Sequence, residues 1–158
     1  WICGMGFFDA VCHAFSTLAS GGFSTKNTSA AGFSPLIQYM MILFMVPAGI
    51  NFLLIYRLLK GQFSALKNND EFKAYMFGIL FSCVLIFLFT YNSSADFELT
   101  LRNALFQTVS FITSTGFVSA DYTSWAMPAI WVILVLMFSG AMSGSTTGGL
   151  KLVRVILL

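Results

Sequence analysis

Apolar positions along the chain fall into a few long runs separated by short polar clusters. Leu36 to Leu59 is the first run, interrupted by Pro47 and Asn51. It is long enough to span a bilayer, which takes about 20 helical residues, and Pro47 predicts a kink in it. Ala74 to Tyr91 is a second, uncharged run, and Trp125 to Met142 is a third. The third opens on Trp125, an aromatic residue of the kind that sits at membrane interfaces. Leu150 to Leu158 follows as a fourth apolar piece. Two shorter semi-apolar pieces, Phe7 to Leu18 and Leu101 to Ile112, are about half a bilayer long. Each runs directly into a Ser/Thr/Gly cluster. A short helix followed by polar backbone at membrane depth predicts a re-entrant loop, which is tolerated only where protein buries it or water reaches it.

The two short pieces are copies of each other. Laying Ala10–Thr25 over Ala104–Ser119 without a gap gives five identities in sixteen positions, at Ala10/Ala104, Ser16/Ser110, Ser20/Ser114, Gly22/Gly116 and Phe23/Phe117. About one would be expected from average residue usage. Val11/Leu105, His13/Gln107, Leu18/Ile112 and Thr25/Ser119 are conservative pairs. The repeating unit is a span, a half-length helix, a polar loop and a second span, the kind of repeat that builds transport paths on a symmetry axis. Residues 1–59 hold one unit without its first span: a pore helix at about 7–18, a polar turn at 19–23 and a span at 36–59. Residues 60–73 are a connection. Residues 74–158 hold the next unit: a span at 74–91, a pore helix at about 101–112, a turn at 113–117 and a broken span at 125–158 with an intramembrane loop at 139–149.

Composition changes the picture only in naming the solvent. Of 158 residues 58% are apolar and 9% charged, against roughly a quarter charged in soluble domains. So few charges cannot cover a wetted surface, which makes the chain an all-α integral membrane protein in a lipid bilayer. A net charge of +2 gives no footprint for nucleic acid. The chain opens and closes inside apolar runs and has no start methionine, which predicts an internal segment of a longer protein. Arg57, Lys60, Lys67 and Lys73 crowd one connection, whereas the other connections carry Lys26 and Arg102. The positive-inside rule therefore places residues 57–73 in the cytoplasm of a multi-pass membrane protein. Both polar turns then lie toward the outside, on the same face as Asp96 and Glu98. Cys3, Cys12 and Cys83 have no zinc-like spacing, and His13 is the lone histidine. No histidine-cluster metal site or histidine-based triad is expected on that inventory, and the absence of a nucleophile–base pair argues against an enzyme.

The chemistry of the turns is that of cation handling. A dehydrated monovalent cation must exchange its water for other oxygens, and backbone carbonyls do this where glycine permits the needed conformations. Ser and Thr hydroxyls add oxygens, and the carboxyl end of the short helix favours a cation. Ala19, Ser20, Gly21 and Gly22, and in the second copy Thr113, Ser114, Thr115 and Gly116, supply these parts in this order. The bland alternative is that small residues simply let helices pack closely. Asp9 and His13 are expected to satisfy the surroundings of the first short helix, and Asn51 to bond between helices.

Three stretches resemble one family. Ala14-Phe15-Ser16-Thr17-Leu18-Ala19-Ser20-Gly21-Gly22-Phe23-Ser24-Thr25 is similar to the second filter of the bacterial Trk/Ktr potassium transporter subunits, relatives of plant HKT and fungal Trk. Gln107 through Phe117 resembles the third filter. Gly140-Ala141-Met142-Ser143-Gly144-Ser145-Thr146-Thr147-Gly148-Gly149-Leu150-Lys151 resembles the family's intramembrane gating loop, and Asp70-Glu71-Phe72 and Leu152-Val153-Arg154 also fit. The resemblance implies four span–pore-helix–span repeats around one pseudo-fourfold pore, homodimers with a pore in each subunit, and a cytosolic nucleotide-binding regulator of the RCK type. It implies K+ as cargo, no cofactor on this chain, filter roles for Gly22, Gly116 and the residues before them, and a gate at Ser139–Gly149. The sequence departs from the family at Ser20, where threonine is expected, and two quarters of a filter cannot enclose an ion alone.

Ser139, Gly140, Ser143, Gly144 and Ser145, followed by Thr146, Thr147, Gly148 and Gly149, lower helix propensity at nearly every step. A mobile, weakly held loop is expected there. Lys151 and Arg154 face the pore below it or anchor the cytoplasmic end. Two other function classes remain open at this level: an ion-coupled carrier that binds another solute at broken helices near the midplane, and a membrane scaffold whose small residues only pack.

Overall fold

The computed structural model describes residues 3–91 and 96–152, and it is helical among the described residues. Seven α-helices follow in order: α1 (Phe7–Leu18), α2 (Pro35–Ala48), α3 (Phe52–Leu59), α4 (Ser64–Lys67), α5 (Asp70–Thr90), α6 (Phe97–Ile112) and α7 (Met127–Phe138). Single 3-10 turns at Ser29–Gly32 and Tyr122–Ser124 lead into α2 and α7.

Among the described residues, helix α5 is the one helix that is by itself long and apolar enough to cross a membrane. Its 21 residues give about 32 Å, the thickness of the hydrocarbon layer. Asn69 starts it by accepting a hydrogen bond from the Phe72 backbone N–H at 2.8 Å. Asp70 and Glu71 then occupy the first turn, where the positive helix end favours them. This capped start moves the helix four residues ahead of the apolar run at 74–91, so the 60–73 connection is shorter than the charge pattern suggests and carries the single turn of α4. Helix α5 buries Tyr75, Ile79, Cys83 and Ile86, and leaves Phe77, Leu80, Phe81, Val84 and Leu88 exposed. An exposed face of that composition belongs in lipid or against further apolar helices.

Helix α6 packs on α5, α2 and α7 and forms the centre of the bundle. Ala104, Phe106, Gln107, Thr108, Val109 and Ser110 are all fully buried on it. It begins at Phe97, four residues before the expected start at 101, because Asp96 precedes it and Glu98 sits in its first turn. Glu98 also explains the buried Arg102, whose Nη1 lies 3.3 Å from the Glu98 carboxylate one turn away. The Tyr39 hydroxyl of α2 donates to the same carboxylate at 3.0 Å.

The run 36–59 is not one kinked span. It is two helices, α2 and α3, whose axes are bent by 104° at Gly49–Asn51. Pro47 lies in the last turn of α2, so it ends the helix rather than bending it. Asn51 then caps a new helix, its Oδ1 accepting from the Leu53 N–H at 2.8 Å. The break is possible because other parts of the chain take up the backbone groups it frees. The Tyr75 hydroxyl of α5 donates to the Val46 carbonyl at 3.0 Å. The remaining partners come from the loop after α7. The third apolar run is broken where the Gly/Ser stretch predicts: its helix ends at Phe138, and the chain beyond it runs through turns and bends rather than a helix.

Gly49 sits where the break meets α5. A Cβ there would lie 2.2 Å from the Tyr75 hydroxyl oxygen and 3.2 Å from Ala141 Cβ. Tyr75 is fully buried and cannot swing away. Gly49→Ala is therefore expected to destabilise the protein by about 1–3 kcal/mol, read as a lowered thermal midpoint in detergent. The same change at Gly61, where nothing lies within 4 Å of a built Cβ, is the comparison: its positive φ costs strain without a clash, so its midpoint should fall less.

Candidate ion path

Both polar turns leave their helices in the same way. In the first copy Ala19 N–H donates to Phe15 O at 2.9 Å, Ser20 N–H to Thr17 O at 3.3 Å and Gly21 N–H to Ser16 O at 2.8 Å. In the second, Thr113 N–H donates to Val109 O at 3.0 Å, Ser114 N–H to Phe111 O at 3.0 Å and Thr115 N–H to Ser110 O at 2.9 Å. Each bond in one copy maps onto its counterpart in the other, 94 residues on. The backbone handedness maps as well. Ser20 and Ser114 take φ of 52° and 53°, and Gly22 and Gly116 take 68° and 84°. Serine in the left-handed region costs about 1–3 kcal/mol and persists only where the surroundings enforce it. Alternating handedness over Ala19–Gly22 and Thr113–Gly116 is the conformation that can turn successive carbonyls to one side, as a cation-coordinating path requires.

The side chains that brace the turns are also matched. Thr25 donates to the Asp9 carboxylate at 2.7 Å, and Ser119 donates to the Asn103 side chain at 3.3 Å. Both bonds tie the chain after a turn back to its own helix, at equivalent positions of the two copies. His13 Nδ1 lies 2.7 Å from the Asp9 carbonyl, an acceptor only, so Nδ1 carries the proton. In the neutral ring Nε2 then accepts from the Ser24 hydroxyl at 2.9 Å. At the position equivalent to His13, the Gln107 amide donates to Ala120 O at 3.2 Å. The Thr113 hydroxyl donates back to Val109 O at 2.7 Å and sits 2.8 Å from that of Thr115. These hydroxyls hold the turn in shape, which leaves the carbonyls as its chemistry.

The two turns touch. A Cβ built on Gly22 would come to 2.0 Å from the Thr115 carbonyl oxygen. His13 stacks on Phe117 with centroids 5.6 Å apart. Beyond the second turn, Val118 N–H donates to the Ser29 hydroxyl at 3.1 Å and Ala31 N–H to Val118 O at 3.1 Å. The link between α1 and α2 thereby clamps the far side of the second turn. The copies differ in cover: Ala19, Gly21 and Phe23 are exposed, while Thr113, Thr115 and Phe117 are buried.

The Gly/Ser loop lies against both turns. Ser20 Oγ and Thr146 Oγ1 are 3.1 Å apart, and a Cβ on Gly148 would come to 3.8 Å from the Ser114 hydroxyl. Its neck is closed by Gly140 N–H to Leu150 O at 2.7 Å and Leu150 N–H to Phe138 O at 3.1 Å. There Gly140 packs so closely that a Cβ would meet Gly148 O at 2.5 Å. Ser145 donates to Met142 O at 2.6 Å and its hydroxyl lies 2.7 Å from that of Thr147. The Lys151 ammonium donates to the Thr147 carbonyl. It fastens the loop's own turn. Arg154 lies outside the described residues.

The loop's head fills the break between α2 and α3. Met142 N–H donates to Gly49 O at 3.2 Å, and Phe52 N–H donates to Gly144 O at 3.1 Å. Asn51 Nδ2 donates to Ser143 O at 2.6 Å, and the Thr146 hydroxyl donates to Ala48 O at 3.1 Å. Glu71 of α5 accepts from Ser143 N–H at 2.6 Å and from the Ser143 hydroxyl at 3.2 Å. The expectation of a weakly held loop therefore needs correcting. Low helix propensity keeps it from being a helix, but its backbone is engaged by three other elements. Asn51 was anticipated as an interhelical hydrogen-bonding residue. Glu71 and Tyr75 were not anticipated at the site, because an acidic first turn and an aromatic residue in a spanning helix carry no mark of their distant partners.

Comparison with known proteins agrees with this geometry. Residues 4–158 match the profile of the TrkH family, described as "Cation transport protein". The chain is 36% identical over 163 aligned positions to the Trk system potassium uptake protein TrkH of Escherichia coli K12, covering all of this chain and 34% of that protein. It is 32% identical to the Trk system potassium uptake protein TrkI of Halomonas elongata, over 96% of this chain and 31% of that one. The crystal structure of the potassium transporter TrkH from Vibrio parahaemolyticus superposes with a TM-score of 0.93 at 33% identity, over 99% of this chain and 35% of that one. The chain thus spans about a third of the length of the relatives it matches.

The contact between the turns makes the matched glycines unequal. Gly22→Ala drives a methyl into the Thr115 carbonyl, whereas a Cβ at Gly116 meets nothing within 4 Å and adds only the strain of its positive φ. Gly116→Ala is expected to cost about 1 kcal/mol, and Gly22→Ala at least twice as much. Thermal midpoints of the two variants in the purified full-length protein measure the difference, and equal losses would contradict the observed turn-to-turn contact.

Proposed function

The chain belongs to the TrkH family of cation transport proteins, and we propose that it forms two of four quarters of a potassium path through a membrane subunit. The observation that carries this reading is the pair of matched turns, each with a left-handed Ser and a left-handed Gly behind a helix of 12 or 16 residues, shorter than the 21 of α5. Ala19–Gly22 and Thr113–Gly116 act as filter segments whose carbonyls replace the hydration shell of K+. The ion crosses without chemistry and without a cofactor on this chain. The loop at Ser139–Gly149, lying against Ser20 and Ser114, obstructs the path and serves as the gate. The subunit works as a homodimer in the inner membrane. A cytosolic regulator of the RCK type, which carries the nucleotide, shifts the gate between arrangements. Residues 57–73 face the cytoplasm and the turns open outward, consistent with the basic residues Arg57, Lys60, Lys67 and Lys73 in that connection.

Two experiments on the full-length protein test the two halves of this reading. Gly116→Ser places a side chain where the backbone needs φ of 84°. It should lower the K+/Na+ permeability ratio in proteoliposome flux by about tenfold, the loss of roughly one charge-assisted contact. An unchanged ratio removes Gly116 from the filter. Deleting Gly144–Gly149 should raise K+ flux and reduce its dependence on the cytosolic regulator. Wild-type flux and regulation in a correctly folded deletion would make the loop a packing element.

A further inference from the structure

Glu71 is the one acidic side chain among the described residues that bonds the Gly/Ser loop from outside it. It rides on the first turn of α5, a rigid helix that begins in the connection after α4. Its two oxygens receive both donors of one residue, Oε1 from the Ser143 N–H at 2.6 Å and Oε2 from the Ser143 hydroxyl at 3.2 Å. The opposite side of Ser143 is held too, its carbonyl accepting from Asn51 at 2.6 Å. Ser143 is therefore gripped between the break after α2 and the start of α5. The grip is half-buried at every member, so water competes poorly for the donors and acceptors. A hydrogen bond to an ionised acceptor is about twice as strong as a neutral one. The loop cannot leave Ser20 and Ser114 without breaking this grip or dragging α5 with it.

We infer that Glu71 is a positioning residue of the gate: its carboxylate, acting through Ser143, keeps the loop against the filter turns in the unstimulated protein. This rests on the reading of residues 139–149 as the gate. It adds a specific holder and places that holder on the helix that leads out of the 60–73 connection, so a force on that connection reaches the loop through α5.

The test uses full-length protein in proteoliposomes with K+ flux measured with and without the cytosolic regulator. Glu71→Ala should raise unstimulated flux about tenfold, the shift in loop equilibrium that losing a charge-assisted bond implies, and shrink the stimulation by the regulator to match. Glu71→Gln retains an acceptor for the Ser143 N–H and should stay closer to wild type. If Glu71 served only as a negative charge at the start of α5, Gln would behave as badly as Ala, and that result overturns the inference. In the Gly144–Gly149 deletion, Glu71→Ala should add nothing, because the element it holds is gone. An equal rise in that background shows that Glu71 acts elsewhere. Flux unchanged in Glu71→Ala but raised by the deletion refutes the holder and leaves the gate standing. Flux unchanged in both refutes the gate itself. Should Glu71→Ala fail to fold, Ser143→Ala removes the hydroxyl arm without touching α5. A smaller rise in unstimulated flux then supports the inference, and none overturns it.

Discussion

A broken helix at membrane depth exposes backbone groups that lipid cannot satisfy, and the rest of this structure is arranged around that constraint. The break between α2 and α3 leaves the Val46 carbonyl with only the Gly49 N–H, and it frees the carbonyls of Ala48 and Gly49 and the N–H of Phe52. Tyr75 takes the first, and residues 142–146 take the others. The same exchange satisfies the loop, which has no helix or strand of its own to consume its donors and acceptors. Each irregular segment is thus the other's hydrogen-bonding partner, and neither arrangement is stable without the other. This is why the break falls at Gly49–Asn51 and not at Pro47. The proline ends α2, but only Gly49 lets α5 approach closely enough for Tyr75 to reach Val46, and only the next residues face the loop.

The repeated turns show a second economy. One local design is used twice: three carbonyls of the preceding helix turn accept from the chain as it leaves, a left-handed serine reverses it, and a left-handed glycine extends it. The braces are preserved in kind while the residues change, Asp9 with Thr25 against Asn103 with Ser119, and His13 against Gln107. What the two copies do not share is their relation to each other. Gly22 abuts the Thr115 carbonyl, while the corresponding side of Gly116 is open. That asymmetry is what rotation about a common axis produces, since each turn presents one flank to the next copy and the other to the previous one.

Much of this was legible in the chain itself. The shared Ser-x-Gly-Phe and the half-length helices before it are local signals, since handedness at Ser20, Gly22, Ser114 and Gly116 follows from the immediate sequence and the pore-helix end. The Gly/Ser stretch at 139–149 announced that it is not a helix for the same reason. The one spanning helix was visible as an uncharged run, although its capped start at Asn69 shifted its boundary. The break in 36–59 was not legible as such. Its composition is that of a continuous span, and only Tyr75 and the loop, 24 or more residues distant from Asn51, make a 104° bend tolerable. The firmness of the loop was misjudged for the same reason: propensity describes what a segment prefers alone, and this one is held by Asn51, Phe52, Ala48 and Glu71.

That dependence bears on how such a loop can move. An element restrained by one neighbour can be released by a change at that neighbour alone. Here the restraints come from α2, α3, the break between them and α5, and they fall on the loop residues Met142 to Gly144 and Thr146. Helices α3 and α5 are joined by the short connection that contains α4, with no other element between them. A displacement of that connection therefore acts on both sides of Ser143 at once, through Asn51 from one direction and through Glu71 from the other. Two coupled restraints released together give a sharper transition than two released in turn, because the intermediate with one broken retains most of the cost and little of the freedom. The residues that close the break are thus also the ones that hold Ser143 from both sides.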